Sequence, residues 1–358
     1  MAASPDLPQL DALDGWPSPE QQTDWYGSVA DEQLLIDAYR GGRMHHAWLI
    51  SGPRGSGKAT LAYRFARFAL AHPDPTLAPA ATSLAIDPDH PAARKIAAHA
   101  HPNLLTLARP YDDKNKRFKE SLTVDEVRRT IPFFGATAGE AGWRIAIVDA
   151  ADDMNTNAAN ALLKVLEEPP RGALFFVLSH APGRLLPTIR SRCRRLDLTP
   201  LTPEAIEHAL ERHSDAGPDE RRFAALAGEG SIRRAVRFLD EDVLAIGNAF
   251  SRAVSRFPAL DANAAHRLGD LVAQRGADDA FESFQDLVFD WLARRARGLP
   301  EPETLGALPP VVAAVPLAHW AEVWEKVRQS SAEVEALNLD RKQYVLTTID
   351  MLARATRM

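Results

Sequence analysis

The sequence predicts an α/β domain built on a parallel five-stranded sheet, followed by a small helical domain and an all-helical C-terminal domain. Three observations predict this. Up to Leu198, short apolar runs that stop at glycine or an acid alternate with stretches of helical periodicity. Beyond Leu198 no strand-like run recurs and helical spacing fills the remainder. The length, 358 residues, gives room for about two or three domains at roughly 150 residues each. Boundaries drawn from these shifts are a tail over 1–24, the α/β domain over 25–198, a small helical domain over 199–242 and a helical bundle over 243–358.

Taken in order, residues 1–24 are rich in Pro, Asp and Gln and lack periodicity, which predicts a mobile tail. A short helix follows, with Leu34, Leu35 and Ala38 on one face and Gly41-Gly42 at its end. Residues 47–51 form an apolar run that stops at Gly52, as a buried strand does. From Lys58 onward Leu61, Phe65, Phe68 and Ala69 keep helical spacing. The stretch 72–101, dominated by Ala, Pro, His and Asp, reads as an exposed insertion with one short helix over 92–98. Residues 104–107 form a second strand, 114–119 a basic run in a polar connection, and 124–131 a helix. The third strand, 143–149, is apolar and ends in an acid.

A helix over 155–168 carries Leu162, Leu163, Val165 and Leu166. Pro169-Pro170 ends it, because proline lacks the N–H and disfavours helix in the residue before it. Residues 174–179 make a fourth strand, and 196–198 belong to a fifth. Thr202-Pro203-Glu204 opens a helix, with Thr as N-cap, Pro in the first turn and Glu complementing the dipole. Three short helices fit before about Asp240. Further on, helical spacing links Phe281, Phe284, Val288 and Trp291, then Trp320, Val323, Trp324 and Val327, then Val345, Ile349 and Leu352. Trp320 and Trp324 read as core or interface residues.

Composition excludes several classes. A net charge of −6 does not suit a chain that wraps nucleic acid by itself. The single cysteine, Cys193, excludes an internal disulfide framework and a four-cysteine zinc module, and suits a reducing cytosol. The first 15 residues hold no Lys, no Arg and no apolar core, so no secretory signal is readable, and no apolar run approaches the length of a membrane span. The expected location is the cytoplasm.

The segment Gly52-Pro53-Arg54-Gly55-Ser56-Gly57-Lys58-Ala59 follows a strand, opens a helix and fits the P-loop pattern G-x-x-x-x-G-K. Its glycines let backbone N–H groups curl round a phosphate, and the helix N-terminus adds partial positive charge. The nucleotide-binding candidates are therefore Gly52, Gly55, Gly57, Lys58, Ala59 and Thr60. Ala59 stands where a hydroxyl normally ligates magnesium, and Thr60 comes one residue late on another face of the helix. Asp149 ends the third strand, but Ala150 follows it where a glutamate would polarise the attacking water. Two defects at independent positions argue against hydrolysis by this chain alone. The residues leave ATP or ADP binding open and indicate no metal.

The run Asn160-Ala161-Leu162-Leu163-Lys164-Val165-Leu166-Glu167-Glu168-Pro169-Pro170, then Thr188-Ile189-Arg190-Ser191-Arg192-Cys193, together with His45-His46-Ala47-Trp48-Leu49, resembles the AAA+ clamp-loader family. The resemblance covers roughly residues 43–200 and implies the rest of the reading. Such subunits form an open five-membered ring held by C-terminal helical collars, with ATP at subunit interfaces. Here it implies gamma/tau-type ATPase and delta-type partners, a sliding clamp, and primer–template DNA reached through the complex, all as part of a DNA polymerase III holoenzyme in the replisome. Arg192 matches the arginine finger that one subunit gives to its neighbour. Ser179 and Arg233 fall where relatives keep sensor groups, although a strand-end hydroxyl satisfying backbone and a surface helix charge are equal readings. The family's four-cysteine zinc module is missing after the P-loop helix, and His72, His90, His99 and His101 match no zinc spacing. What stabilises that insertion without metal is left open. Two rival readings stand beside a non-hydrolysing clamp-loader subunit: a gamma-type ATPase with an unusual P-loop, and an AAA+-derived protein-binding scaffold.

Overall fold

The computed structural model describes residues 13–357 apart from 14, 80, 113, 115, 136–141, 275–277, 300–307 and 338. They fall into two compact units, Met1–Asp215 with Glu229–Arg233 and Ala216–Gly228 with Arg234–Met358.

The first unit opens with α1 (Val29–Arg40), capped by the Ser28 hydroxyl, which accepts from the Ala30 N–H. Leu35, Ile36, Ala38 and Tyr39 are buried, whereas Leu34, expected on that face, points to solvent. Then come β1 (Ala47–Ser51), α2 (Lys58–Ala71), α3 (Pro91–Ala97) and β2 (Leu104–Leu107). Arg117 and Phe118 of the basic run belong to a small hairpin that the sequence reading missed, β3 (Tyr111–Asp112) with β4 (Arg117–Phe118), closed by Tyr111 against Phe118 at 5.2 Å. The single helix expected over 124–131 is two, α4 (Val124–Arg128) and α5 (Thr130–Gly135). Pro132 has no N–H to give the Arg128 carbonyl, so the ladder breaks and restarts. After β5 (Arg144–Val148), α6 (Thr156–Glu167) starts at Asn155, whose side-chain oxygen accepts from the Ala158 N–H. β6 (Ala173–Ser179), α7 (Pro187–Arg192), β7 (Arg194–Asp197) and α8 (Pro203–His213) complete this unit's elements.

The sheet order is β2-β5-β6-β1-β7, and every pairing is parallel. All residues of β1 and β6 are buried, because helices cover both faces. One face packs Trp48, Ile50, Phe65, Phe176 and Leu178 with α1 and α2. The other packs Leu49, Phe175 and Val177 with α6 and α7 through Leu162, Leu166 and Ile189.

Two expectations need correction here. Residues 16–24, expected within a mobile tail, are packed: Glu20 and Gln22 are buried, and the Arg67 guanidinium on α2 donates to both their backbone carbonyls. The stretch 1–12 lies outside the described residues. The insertion 72–101 is not simply an exposed loop either. Leu84 and Ile96 enter the α2 side of the core, and the Tyr39 hydroxyl donates to the His72 carbonyl at 2.6 Å. The buried Glu32 carboxylate accepts from Arg64 at 2.8 Å, the Ser83 hydroxyl at 3.1 Å and the Leu84 N–H at 3.3 Å. A polar staple and a few apolar contacts therefore hold the insertion.

The second unit contains α9 (Pro218–Ala227), α11 (Glu241–Val254), α12 (Ala262–Val272), α13 (Asp278–Ala296), α14 (Pro310–Ala314), α15 (Leu317–Leu337) and α16 (Arg341–Ala355). The intervening α10 (Ile232–Arg237) gives this unit its last four residues. Trp291, Trp320 and Phe250 form the centre of its core, with Trp291 and Trp320 edge to face at 5.2 Å and Trp324 packed beside it. No helix among the described residues is long and apolar enough to cross a membrane.

Candidate functional site

Parallel pairing brings the carboxyl ends of β1, β5 and β6 to one edge, carrying Gly52, Asp149 and Ser179. An open parallel sheet places ligands at that edge. Gly55 has φ +76° and Gly57 φ +88°, left-handed conformations that the loop needs to turn into α2. A Cβ on Gly55 would also lie 2.1 Å from the Ser231 hydroxyl, since the Ile232 N–H bonds to the Gly55 carbonyl.

A cavity of about 400 Å³ opens beside this loop. Gly55, Gly57, Lys58, Ala59 and Thr60 line it, together with Asp149, Ala150 and Arg233. Thr60, expected to point elsewhere, thus faces the cavity after all. Gly52 is not among the lining residues, and a Cβ there would lie 2.9 Å from the Leu198 carbonyl oxygen. Ser179 does not line it: the side chain is buried and its hydroxyl donates to Asp152 at 3.0 Å. Asp152 also accepts from the His180 and Ala181 N–H groups at 2.8 and 3.0 Å, so it satisfies the turn after β6. The Lys58 ammonium donates to the Gly52 and Pro53 carbonyls at 2.9 and 2.6 Å. Burial lowers it to about 8, against the pull of Asp149 and Asp152. Arg54 and the Arg109–Asp153 ion pair complete the polar wall. Among the described residues no group of three His, Cys, Asp or Glu side chains could hold a metal ion.

The remaining wall was not anticipated. Residues 16–27 run along the cavity and present Trp16, Trp25 and Tyr26 to it. Three aromatics in an otherwise polar stretch were the available signal. Trp16 packs on His213 at 4.7 Å, and Arg212 pairs with Asp24 at 3.1 Å. On the other side His99, in a left-handed conformation (φ +51°) just after α3, pairs with Glu20 at 2.9 Å.

That pair is expected to make this strap, the segment 16–27, pH-sensitive. Its hydrogen bond to Glu20 raises His99 above its usual 6.5. Burial pushes Glu20 up, but the bond from His99 and other hydrogen bonds outweigh it and hold Glu20 below its usual 4.5. The His99 contribution is full below pH 6.5 and is lost as pH rises through the raised value. The Glu20 contribution is present above 4.5 and is lost as pH falls through the depressed value. Amide exchange at 16–27, corrected for intrinsic rates, is therefore expected to be slower at pH 6 than at pH 8.5. His99→Gln should flatten that difference; a difference that survives in the variant would rule the pair out as its cause.

Arg192 ends α7 and is about one-third exposed. One terminal nitrogen donates to the Thr188 carbonyl at 3.0 Å, and the other pairs with Glu167 of α6 at 2.8 Å. Arg192 does not line the P-loop cavity. Its neighbour Cys193 is buried among apolar side chains, which pushes the thiol up to about 12 and leaves it inert near neutral pH.

Residues 30–202 match the profile of the family described as DNA polymerase III, delta subunit. Subunit delta-prime of DNA polymerase III from Pseudomonas aeruginosa is 37% identical over 190 residues, 53% of each chain. The delta-prime subunit from Escherichia coli is 31% identical over 229 residues, 61% of this chain and 62% of that one. The α/β region is therefore similar to DNA polymerase III delta-prime subunits. The chain thus spans between half and two-thirds of the length of these delta-prime relatives. The tau subunit from E. coli is also similar, at 29% over 236 residues, 63% of this chain and 34% of that one. The residues matched by the family profile include the P-loop, Asp149 and Arg192, while Arg233 lies beyond their end.

Proposed function

We propose that this chain is a clamp-loader subunit without ATP hydrolysis of its own, which supplies Arg192 in trans to the ATP site of a neighbouring subunit. The carrying observation is the placement of Arg192, exposed at the end of α7 and outside the chain's own P-loop cavity. A guanidinium is permanently charged and binds phosphate oxygens bidentately. Delivered across an interface, it stabilises charge on the phosphoryl group in flight and ties hydrolysis to assembly. Within the cavity the magnesium-binding hydroxyl and the water-orienting carboxylate are replaced by Ala59 and Ala150. Lys58, the loop glycines and the start of α2 retain what holds a phosphate, and Arg233 reaches the same cavity as a sensor would.

In this reading residues 199–242 act as the lid and 243–358 as the collar that joins gamma/tau-type and delta-type partners in a hetero-pentameric ring. The ring loads a sliding clamp onto primed DNA for DNA polymerase III in the cytoplasm. Steady-state ATP hydrolysis by the purified chain, with and without primed DNA, is expected to be at background. Robust turnover would overturn the reading and favour a motor subunit of the gamma type.

A further inference from the structure

We infer that Glu167 is a positioning residue for Arg192, fixing the guanidinium in the orientation it presents to the neighbouring subunit. The inference rests on the trans-acting role of Arg192 proposed above. An arginine at the end of a six-residue helix has four side-chain torsions to order before it can act. Here two contacts order it: the Thr188 carbonyl one turn back at 3.0 Å and the Glu167 carboxylate at 2.8 Å. They take one N–H from each terminal nitrogen. The Nε–H and the second N–H of each terminal nitrogen make no contact with either group, so the fork still has donors for phosphate oxygens.

The platform under this pair is stiff. Leu162 and Leu166 of α6 share a buried cluster with Ile189 of α7 and with Cys193, so packing sets the separation of the two helices. Glu167 is the last residue of α6, where Pro169 and Pro170 follow and no further turn can form. A carboxylate at a helix C-terminus opposes the macrodipole. An ion pair this exposed, with the two side chains 35% and 43% accessible, adds little to stability. Its consequence is orientation: one carboxylate on one rigid helix selects one rotamer of the finger. Misplacing a catalytic group by an ångström lowers rates by as much as about a hundredfold.

The test is ATP turnover of the reconstituted loader carrying Glu167→Ala, Glu167→Gln, Arg192→Ala or the double variant Glu167→Ala/Arg192→Ala. Glu167→Ala is expected to lower kcat at the neighbouring site about five- to tenfold with little change in KM. Glu167→Gln should recover most of that loss, because its amide oxygen still accepts from Arg192 at the same reach. On the Arg192→Ala background, Glu167→Ala should cost nothing further. Two results overturn the inference: unchanged or faster turnover in Glu167→Ala, or an equal loss in both Glu167 variants that persists without Arg192. If Arg192→Ala itself leaves turnover unchanged, the finger reading fails, and Glu167 has nothing to position.

Discussion

Arg192→Ala is expected to abolish stimulated hydrolysis at the neighbouring ATP site while leaving the complex assembled. Arginine fingers supplied in trans contribute about 10³–10⁵ in rate at the site they complete. In the proposed ring the total loader rate falls by less wherever other interfaces supply arginines of their own, so phosphate release at the affected site is the sharper readout. Arg192→Lys should fail to rescue: an ammonium is a compact point charge that cannot reproduce the planar fork held between Thr188 and Glu167. Gel filtration separates this outcome from a loss of assembly. Normal phosphate release and normal clamp loading by Arg192→Ala would leave this chain as a scaffold. The folded core should not notice the change, since the side chain is partly exposed and, among the described residues, bonds to its own helix and to Glu167.

Features written in local chemistry were legible before the structure. The strands stood out because β1 and β6 are buried on both faces and so read as unbroken apolar runs. The P-loop stood out because left-handed turns at Gly55 and Gly57 demand glycine at fixed spacing. The break between α4 and α5 also had a local signal, Pro132. The strap was not legible. Nothing within 16–27 announces that Arg67, some 45 residues on, will satisfy the Glu20 and Gln22 carbonyls, or that His99 will neutralise Glu20. The aromatic wall of the cavity was missed with it. For Ser179 sequence position left a sensor and a strand-end hydroxyl satisfying backbone as equal readings; its hydroxyl accepts from the Ala181 N–H and donates to Asp152, a partner that sequence position does not reveal.

Glu32 is the strongest case of a polar residue whose role only the fold discloses, and Glu32→Ala is expected to destabilise the first unit by about 3–5 kcal/mol. Glu32 and Arg64 are each only 3% accessible. Removing the carboxylate leaves the guanidinium buried beside apolar side chains with no counter-charge, and leaving one partner of a buried pair uncompensated costs about that much. The loss should appear as a fall in Tm of roughly 10 °C, using about 2–4 °C per kcal/mol for a unit of this size. The Ser83 hydroxyl and Leu84 N–H lose the same acceptor, so the insertion should loosen first. Limited proteolysis is expected to cut within 72–101 in the variant before the sheet unfolds. Glu32→Gln keeps one acceptor oxygen and should fall between. Replacing both partners, Glu32→Leu with Arg64→Met, removes the stranded charge and should recover most of the stability. It should not recover all of it, because the Leu84 N–H remains buried without an acceptor, at about 1–3 kcal/mol. A Glu32→Ala loss below about 1 kcal/mol, of the order of an exposed pair, would mean that water reaches Arg64 and that apolar packing at Leu84 and Ile96 alone holds the insertion.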